Sequence, residues 1–203
     1  MTTIPDHDVL MPLLTPDTPA LARLQARLTD IADRDGLVDV AYRVVDSPLG
    51  TLLVAATDRG IVRVAFAVEG HDQVLATLAE RVSPRVLRAP GRLDAAAYQL
   101  DDYFAGRLHA FDLPLDFQLA QGFRRTVLEH LREISYGHTA SYGTVARASG
   151  RSGASRAVGT ACARNPLPIV VPCHRVVRSD GSIGQYAGGV EAKRTLLDLE
   201  SAA

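Results

Sequence analysis

From Val38 onward the chain alternates short branched apolar runs with turn residues. Val38-Asp-Val-Ala-Tyr-Arg-Val-Val, Thr51-Leu-Leu-Val-Ala-Ala and Ile61-Val-Arg-Val-Ala-Phe are separated by Asp46-Ser-Pro-Leu-Gly50 and Asp58-Arg-Gly60. β-Branched runs punctuated by Gly and Pro predict an antiparallel meander. Helices are expected over about 71–82 and 91–106, then an extended stretch Phe111–Phe117 that contains Pro114. The period then becomes helical. Phe123, Val127, Leu131 and Ile134 fall on one face of a helix over Gly122–Ile134, which Tyr136-Gly137 ends. Ser141 is a good N-cap for Tyr142–Ala148 and Gly150 a good stop. A second short helix, about Ala154–Ala163, runs to Asn165-Pro166, and the pair has helix-turn-helix spacing. Residues 1–37 read as an extension. Pro5, Pro12, Pro16 and Pro19 keep its first part irregular, and Leu21, Leu24, Leu28 and Ile31 recur at helical spacing up to about Gly36. The organisation predicted is an extension (1–37), an α/β domain with an antiparallel sheet (38–116) and a mostly helical domain (117–203).

At 203 residues, with 47% hydrophobic and 22% charged residues, the chain has the balance of a globular protein. No apolar run approaches the roughly 18 residues that span a bilayer. The start carries Asp6 and Asp8 and lacks the basic flank and apolar core of a secretory signal, so a cytoplasmic location is expected. Two cysteines, Cys162 and Cys173, make no disulfide framework, and no Cys/His cluster has metal-ligand spacing. Neither a metal nor a cofactor is expected.

The net charge of −1 conceals an asymmetry that changes this picture. Ile134 to Ser179 holds no Asp or Glu but six arginines: Arg147, Arg151, Arg156, Arg164, Arg175 and Arg178. An acid-free basic window suits a polyanion such as a nucleic-acid backbone better than a merely solvated face. Within it, the second helix of the pair is almost all Ala, Gly, Ser and Thr around one long cation, Arg156. That is poor equipment for reading base edges, which takes several bidentate side chains. It suits a helix lying close to DNA that pushes one wedge into the stack.

The same window contains Ile169-Val-Val-Pro172-Cys173-His174-Arg175-Val176. Ile-Val-Val reads as a short buried strand stopped by Pro172, from which a thiol is presented. A cysteine attacks only as thiolate and needs a base or a positive charge nearby, for which His174 and Arg175 are candidates. A lone cysteine is otherwise a packing residue, and this is the reading given to Cys162 in its small-residue helix.

These parts in this order resemble the O6-alkylguanine-DNA alkyltransferases, also called methylated-DNA–protein-cysteine methyltransferases. The resemblance rests on Val171-Pro-Cys-His-Arg-Val176, Ser141-Tyr142-Gly143, Arg156-Ala157-Val158-Gly159, Asn165-Pro166, Gly184-Gln-Tyr-Ala-Gly-Gly189, Lys193, Leu196-Leu197 and Glu200. It is dense over about 117–200 and loose over 38–116. It implies a ribonuclease-H-like first domain and a winged-helix-like second. It implies a protein, acting as a monomer on double-stranded DNA, that flips out O6-alkylguanine (and O4-alkylthymine) and takes the alkyl group onto Cys173.

The resemblance also implies roles. His174 would act as base through a water, Glu200 would hold the histidine, and Asn165 would fix the turn. Tyr142 would donate toward the departing base, and Arg156 would fill the gap left by the flipped nucleotide. Ser141, Arg151, Ala157, Gly159 and Thr160 would meet DNA, and Val176, Tyr186, Ala187 and Gly188 would shape the base pocket. Ala187, Leu128, Ser135 and Thr160 depart from residues frequent in the family (Ser, Trp, Pro and Gly, respectively). An alkyl thioether has no leaving group for thiol exchange, so each molecule is expected to act once. A helix-turn-helix regulator would want polar side chains on the second helix, a damage-flagging relative would lack the cysteine, and a cysteine hydrolase would need no arginine window.

Overall fold

The computed structural model describes residues 18–201, so Pro5, Pro12, Pro16, Asp6 and Asp8 lie outside the described residues. The chain divides into two compact units between Leu37 and Val38. In the first, helix α1 (Thr18–Arg34) carries the expected stripe, with Leu21, Leu24, Leu28 and Ile31 each about half exposed or more. Pro19 does not keep this part irregular. It stands in the first turn of α1, where a missing N–H costs nothing because the helix has no acceptor for it. No helix of the described residues is long and apolar enough to cross a membrane.

The second unit begins with β1 (Val40–Val45), β2 (Leu52–Thr57) and β3 (Gly60–Phe66), the predicted meander. The sheet is nevertheless mixed, because a fourth strand, β4 (Val86–Arg88), pairs with β1 in parallel in the order β3-β2-β1-β4. Helix α2 (His71–Arg81) forms the connection that a parallel return requires. Three residues between Pro84 and Pro90 are too few to show a period, which is why the sequence pattern misses β4. Val74 and Leu78 of α2 pack with Val40, Leu53, Ala55, Val62 and Ala65 in one core cluster. All but the last residue of β2 are buried, as expected of a central strand covered on both faces. A short 3₁₀ turn at Pro90–Leu93 leads into α3 (Asp94–Phe104), which buries Ala96, Ala97, Leu100 and Tyr103. The extended stretch after it bridges Leu115 to Ile61 on β3 and ends in a 3₁₀ turn from Phe117.

The mostly helical half contains α4 (Phe123–Leu131), α5 (Tyr142–Ala148), α6 (Ser155–Ala163) and α7 (Gly189–Ser201), with a two-residue parallel pair, β5 (Ala140–Ser141) and β6 (Val176–Val177). The buried face of α4 is Val127, Leu128 and Leu131, and Ile134 follows in a turn. Ser141 caps α5 as expected, its hydroxyl accepting from Thr144 N at 3.1 Å. Gly150 closes α5 at φ +75°, a backbone setting that glycine adopts without strain.

Ile169–Val171 is not a strand. Leu167 to Val171 closes a buried turn in which Val171 N donates to Leu167 O at 2.8 Å, and Ile169 takes φ +74°. Pro166, Pro168 and Pro172 withhold the donors a ladder would need, and burial of Ile169 offsets the strain of a branched residue in that region.

Gly60 is where β3 meets the connection between the two halves. A Cβ there would lie 2.2 Å from the Pro114 carbonyl oxygen, at φ +132°. Gly60→Ala should therefore cost about 2–4 kcal/mol, and thermal denaturation should show a melting point lower by roughly 10 °C. An unchanged melting temperature would mean that the connection does not rest on β3 in solution.

Candidate active site

The buried turn presents Cys173 at the start of a single 3₁₀ turn, Cys173–Arg175. Asn165, at the end of α6, pins this arrangement from inside. Its amide donates to Val171 O at 2.9 Å and to Cys173 Sγ at 3.1 Å, while its carbonyl accepts from Leu167 N at 2.9 Å. Cys173 is only 1% exposed. Burial pushes its thiol up to about 11, against the pull of the Asn165 amide and the Lys193 charge. The resting group is a neutral thiol, so a nearby base must take its proton before it can attack.

The next residue in the chain is an imidazole. His174, fully buried, meets Glu200 of α7 through Nε2 at 2.8 Å. Glu200 also accepts from Arg175 Nε at 2.8 Å, from Arg175 Nη2 at 2.9 Å and from the Tyr103 hydroxyl at 2.7 Å. Burial alone would raise this carboxyl, but the donors from His174 and Arg175 prevail and hold it down at about 2. An ionised carboxylate only accepts, so His174 Nε2 carries the proton and Nδ1 holds the lone pair. Nδ1 is buried and has no partner among the described residues. Burial also lowers the histidine's own pKa more than Glu200 raises it, which keeps the ring neutral. Arg175, one of the two candidates to activate the thiol, turns instead to Glu200 and to the Ile134 carbonyl. His174 and Arg175 therefore meet on the same carboxylate.

Tyr103 goes unmarked by the sequence pattern, and Lys193, although among the residues that carry the resemblance, is given no role there. Tyr103 comes from α3 of the sheet domain and reads as an ordinary core aromatic. Lys193 is the only lysine in the chain, a signal that was available, and it is fully buried with Nζ donating to the Val176 carbonyl. Its charge lowers the pKa of both Cys173 and Cys162. Both cysteines are free and buried, and Cys162 lies on the packed face of α6 with Val158 and Ala161.

Tyr142 opens α5 and lines a cleft of about 350 Å³ together with Ser155, Arg156, Gly159, Gly184 and Gln185. Burial raises its pKa, and negative charge on Cys162 or Cys173 would raise it further, so its hydroxyl stands within electrostatic reach of the nucleophile. Gly184 fits because a Cβ there would lie 2.5 Å from that hydroxyl. Val176 and Tyr186 are buried, Ala187 and Gly188 partly so, and none of the four lines this cleft. Tyr186 stands edge-on to Phe66 at 5.6 Å and to His174 at 6.3 Å, and Gly188 lies against the Phe66 ring. On α6, Arg156, Ala157 and Thr160 are exposed and Gly159 partly so. Arg151, in the turn before α6, stacks over Phe123 at 4.8 Å, and Ser141 is occupied as a cap. Five of the six arginines of the basic window are exposed, the exception being Arg175.

Two family models together match most of the chain: "6-O-methylguanine DNA methyltransferase, ribonuclease-like domain" over residues 40–117, and the same family's "DNA binding domain" over 122–202. The chain belongs to this family. The methylated-DNA–protein-cysteine methyltransferase of Mycolicibacterium paratuberculosis is 40% identical over 161 residues, spanning 79% of this chain and 92% of its own. The crystal structure of Mycobacterium tuberculosis O6-methylguanine methyltransferase superposes with a TM-score of 0.70 at 38% identity, covering 80% of this chain and 93% of that one. The Mycobacterium tuberculosis protein in complex with DNA gives 0.68 at the same identity and coverage. Both family matches begin after residue 37, so α1 lies outside what the methyltransferases share with this chain.

The site has a pH signature. The folded-state pKa of Glu200 lies below its ordinary value of 4.5, so its contribution to stability is present above pH 4.5 and is lost as pH falls towards 2. The shift corresponds to roughly 3 kcal/mol. His174, also lowered, acts in the same sense, its contribution being lost as pH falls below 6.5. Urea unfolding of wild type and Glu200→Gln from pH 7 to pH 3 should show the acid-side loss shrinking in the variant. Parallel curves would show that Glu200 is not ionised in the folded protein.

Proposed function

We propose that this protein repairs DNA by moving the alkyl group of O6-alkylguanine, and of O4-alkylthymine, onto Cys173 in a single turnover. The observation that carries this reading is a buried thiol next in the chain to an imidazole whose Nε2 is held by an ionised carboxylate and whose Nδ1 has no partner among the described residues. His174 Nδ1 takes the Cys173 proton, through a water. Sγ then attacks the alkyl carbon, the new S–C bond forming as the C–O bond breaks. The electron pair leaves with the guanine oxygen, and the Tyr142 hydroxyl limits the charge on the departing base by donating towards it. Asn165 keeps Sγ aimed, and Tyr103 and Arg175 fix the carboxylate that orients the histidine. This is the division of labour among nucleophile, base and orienter. No cofactor enters the scheme, because the thiol is consumed.

The α5–α6 pair acts as the helix-turn-helix of a winged-helix-like domain, with α6 lying against duplex DNA and the sheet domain taking the ribonuclease-H-like role. Exposed Ala157 and Thr160 and half-buried Gly159 let the helix backbone approach, while Ser141 and Arg151 flank it. Arg156 stands beside the Tyr142 cleft and fills the space a flipped nucleotide leaves. Val176, Tyr186, Ala187 and Gly188 shape the pocket floor and its loop. The protein works as a monomer in the cytoplasm, where its thiols stay reduced.

Intact-mass measurement after incubation with O6-methylguanine duplex should show one added methyl group, about 14 Da, mapped to Cys173, since the thioether cannot exchange. Cys173→Ala should abolish transfer while leaving DNA binding. Repeated turnover, or methylation of Cys162, would refute the assignment.

Arg156 is expected to matter only where a base must be extruded, at a cost of a few kcal/mol. Arg156→Ala should repair duplex much more slowly yet react almost normally with free O6-benzylguanine. Equal losses on both substrates would place Arg156 in the pocket or the fold instead.

A further inference from the structure

A second cleft, of about 520 Å³, is walled by α2 and β3 of the sheet domain and by α4 and the C-terminal end of α6. It is lined by Arg63, Arg81, Arg124 and Arg164, and by one carboxylate, Glu69. That carboxylate is already engaged: it pairs with Arg63 and accepts from Phe66 N at 2.9 Å. Arg63 is likewise committed, its Nη1 donating to the carbonyls of Val64 at 3.0 Å and Pro166 at 3.2 Å. Among the described residues, Arg81, Arg124 and Arg164 have no carboxylate partner.

Two of these three have a local reason to be cationic. Arg81 lies in the last turn of α2 and Arg164 caps the C-terminus of α6, and the helix dipole favours positive charge at both places. Arg124 has the opposite setting. It stands in the first turn of α4, which contains no acid and where the dipole disfavours a cation. One of its Nη groups donates to the Leu119 carbonyl, but its Nε–H is buried without a partner. A buried donor left unpaired costs about 1–3 kcal/mol. Burial lowers the pKa of this guanidinium, and the charges of Arg81 and Arg164 lower it further. Three converging cations, one with a buried donor to spare, leave an excess that nothing described in the chain neutralises.

We infer that this cleft is a phosphate-binding site, with Arg81, Arg124 and Arg164 closing on one phosphate group. Planar guanidinium forks match phosphate oxygens and are weakly hydrated, so they give up water for an anion readily. The phosphate has two sources: a free polyphosphate anion, or the backbone of the DNA against which α6 lies. The second source rests on the function proposed above; the first does not. In either case the ligand sits beside Asn165 and Pro166, where the turn that holds Cys173 begins.

The test is calorimetric titration of inorganic pyrophosphate into the full-length wild type, Arg81→Gln and Arg124→Gln. It is paired with the salt dependence of binding to an undamaged duplex. For a free-anion site, pyrophosphate binds the wild type and both variants weaken it at least tenfold. For a backbone site, pyrophosphate gives no heat, but the slope of log K against log salt falls by about one phosphate contact in each variant. If neither quantity changes, the inference is wrong. Arg81 is exposed, so Arg81→Gln decides the matter should Arg124→Gln fail to fold. Reaction of the wild type with free O6-benzylguanine, scored separately, reports whether the alkyl-transfer reading itself has failed.

Discussion

An ionised carboxylate sits where water does not reach, and the rest of the structure is arranged to make that tolerable. Glu200 is 3% exposed and takes donors from Tyr103, His174 and Arg175. A buried charge is sustained only when it is paired and its lone pairs are filled. These donors arrive from two places, α3 in the sheet domain and the 3₁₀ turn that carries the nucleophile, whose Arg175 also reaches the carbonyl of Ile134 after α4. Helix α7, the packing of the two halves and the tautomer of the histidine are therefore decided by one group. Removing Arg175 would leave the charge uncompensated, and removing either neutral donor would leave a buried lone pair unfilled, at the point where these elements meet.

The chemistry was legible in the sequence to the extent that it depends on neighbours along the chain. Cys173 and His174 are adjacent, Ser141 caps the helix that follows it, and glycine and proline mark the meander. Contacts that depend on folding were not legible. The roles of Tyr103 and of the β4 pairing come from segments whose local patterns are those of ordinary core. The turn at Ile169 was misread because branched apolar residues favour strands on average. Here three prolines and the Asn165 side chain impose a turn, at a φ value such residues avoid. Arg175 was one of two candidates to activate the thiol, and the fold places it on the carboxylate instead.

The glycines at the site are explained by what stands against them rather than by flexibility. Gly184 makes room for the Tyr142 hydroxyl, and Gly188 makes room for Phe66, the last residue of β3. The loop between them is thereby fitted on one side to the helical half and on the other to the sheet. Phe66 and Tyr186 continue that contact inward to the edge of the histidine ring. The sheet domain is thus a structural wall of the reacting centre, although it supplies only Tyr103 to the hydrogen-bonded network.

The closed setting of Cys173 bears on how such a molecule survives before it meets its target. A protein that gives up its thiol in a single event is a reagent as much as a catalyst, and any stray oxidant or soluble electrophile that reached the sulfur would waste the whole molecule. With 1% of the residue exposed and the thiol pushed up to about 11, the sulfur at rest is buried and neutral. Peroxides and alkylating agents in solution select for accessible thiolate. The burial that makes the nucleophile sluggish therefore also gives it shelf life, and reserves its reactivity for a substrate whose shape the base pocket accepts.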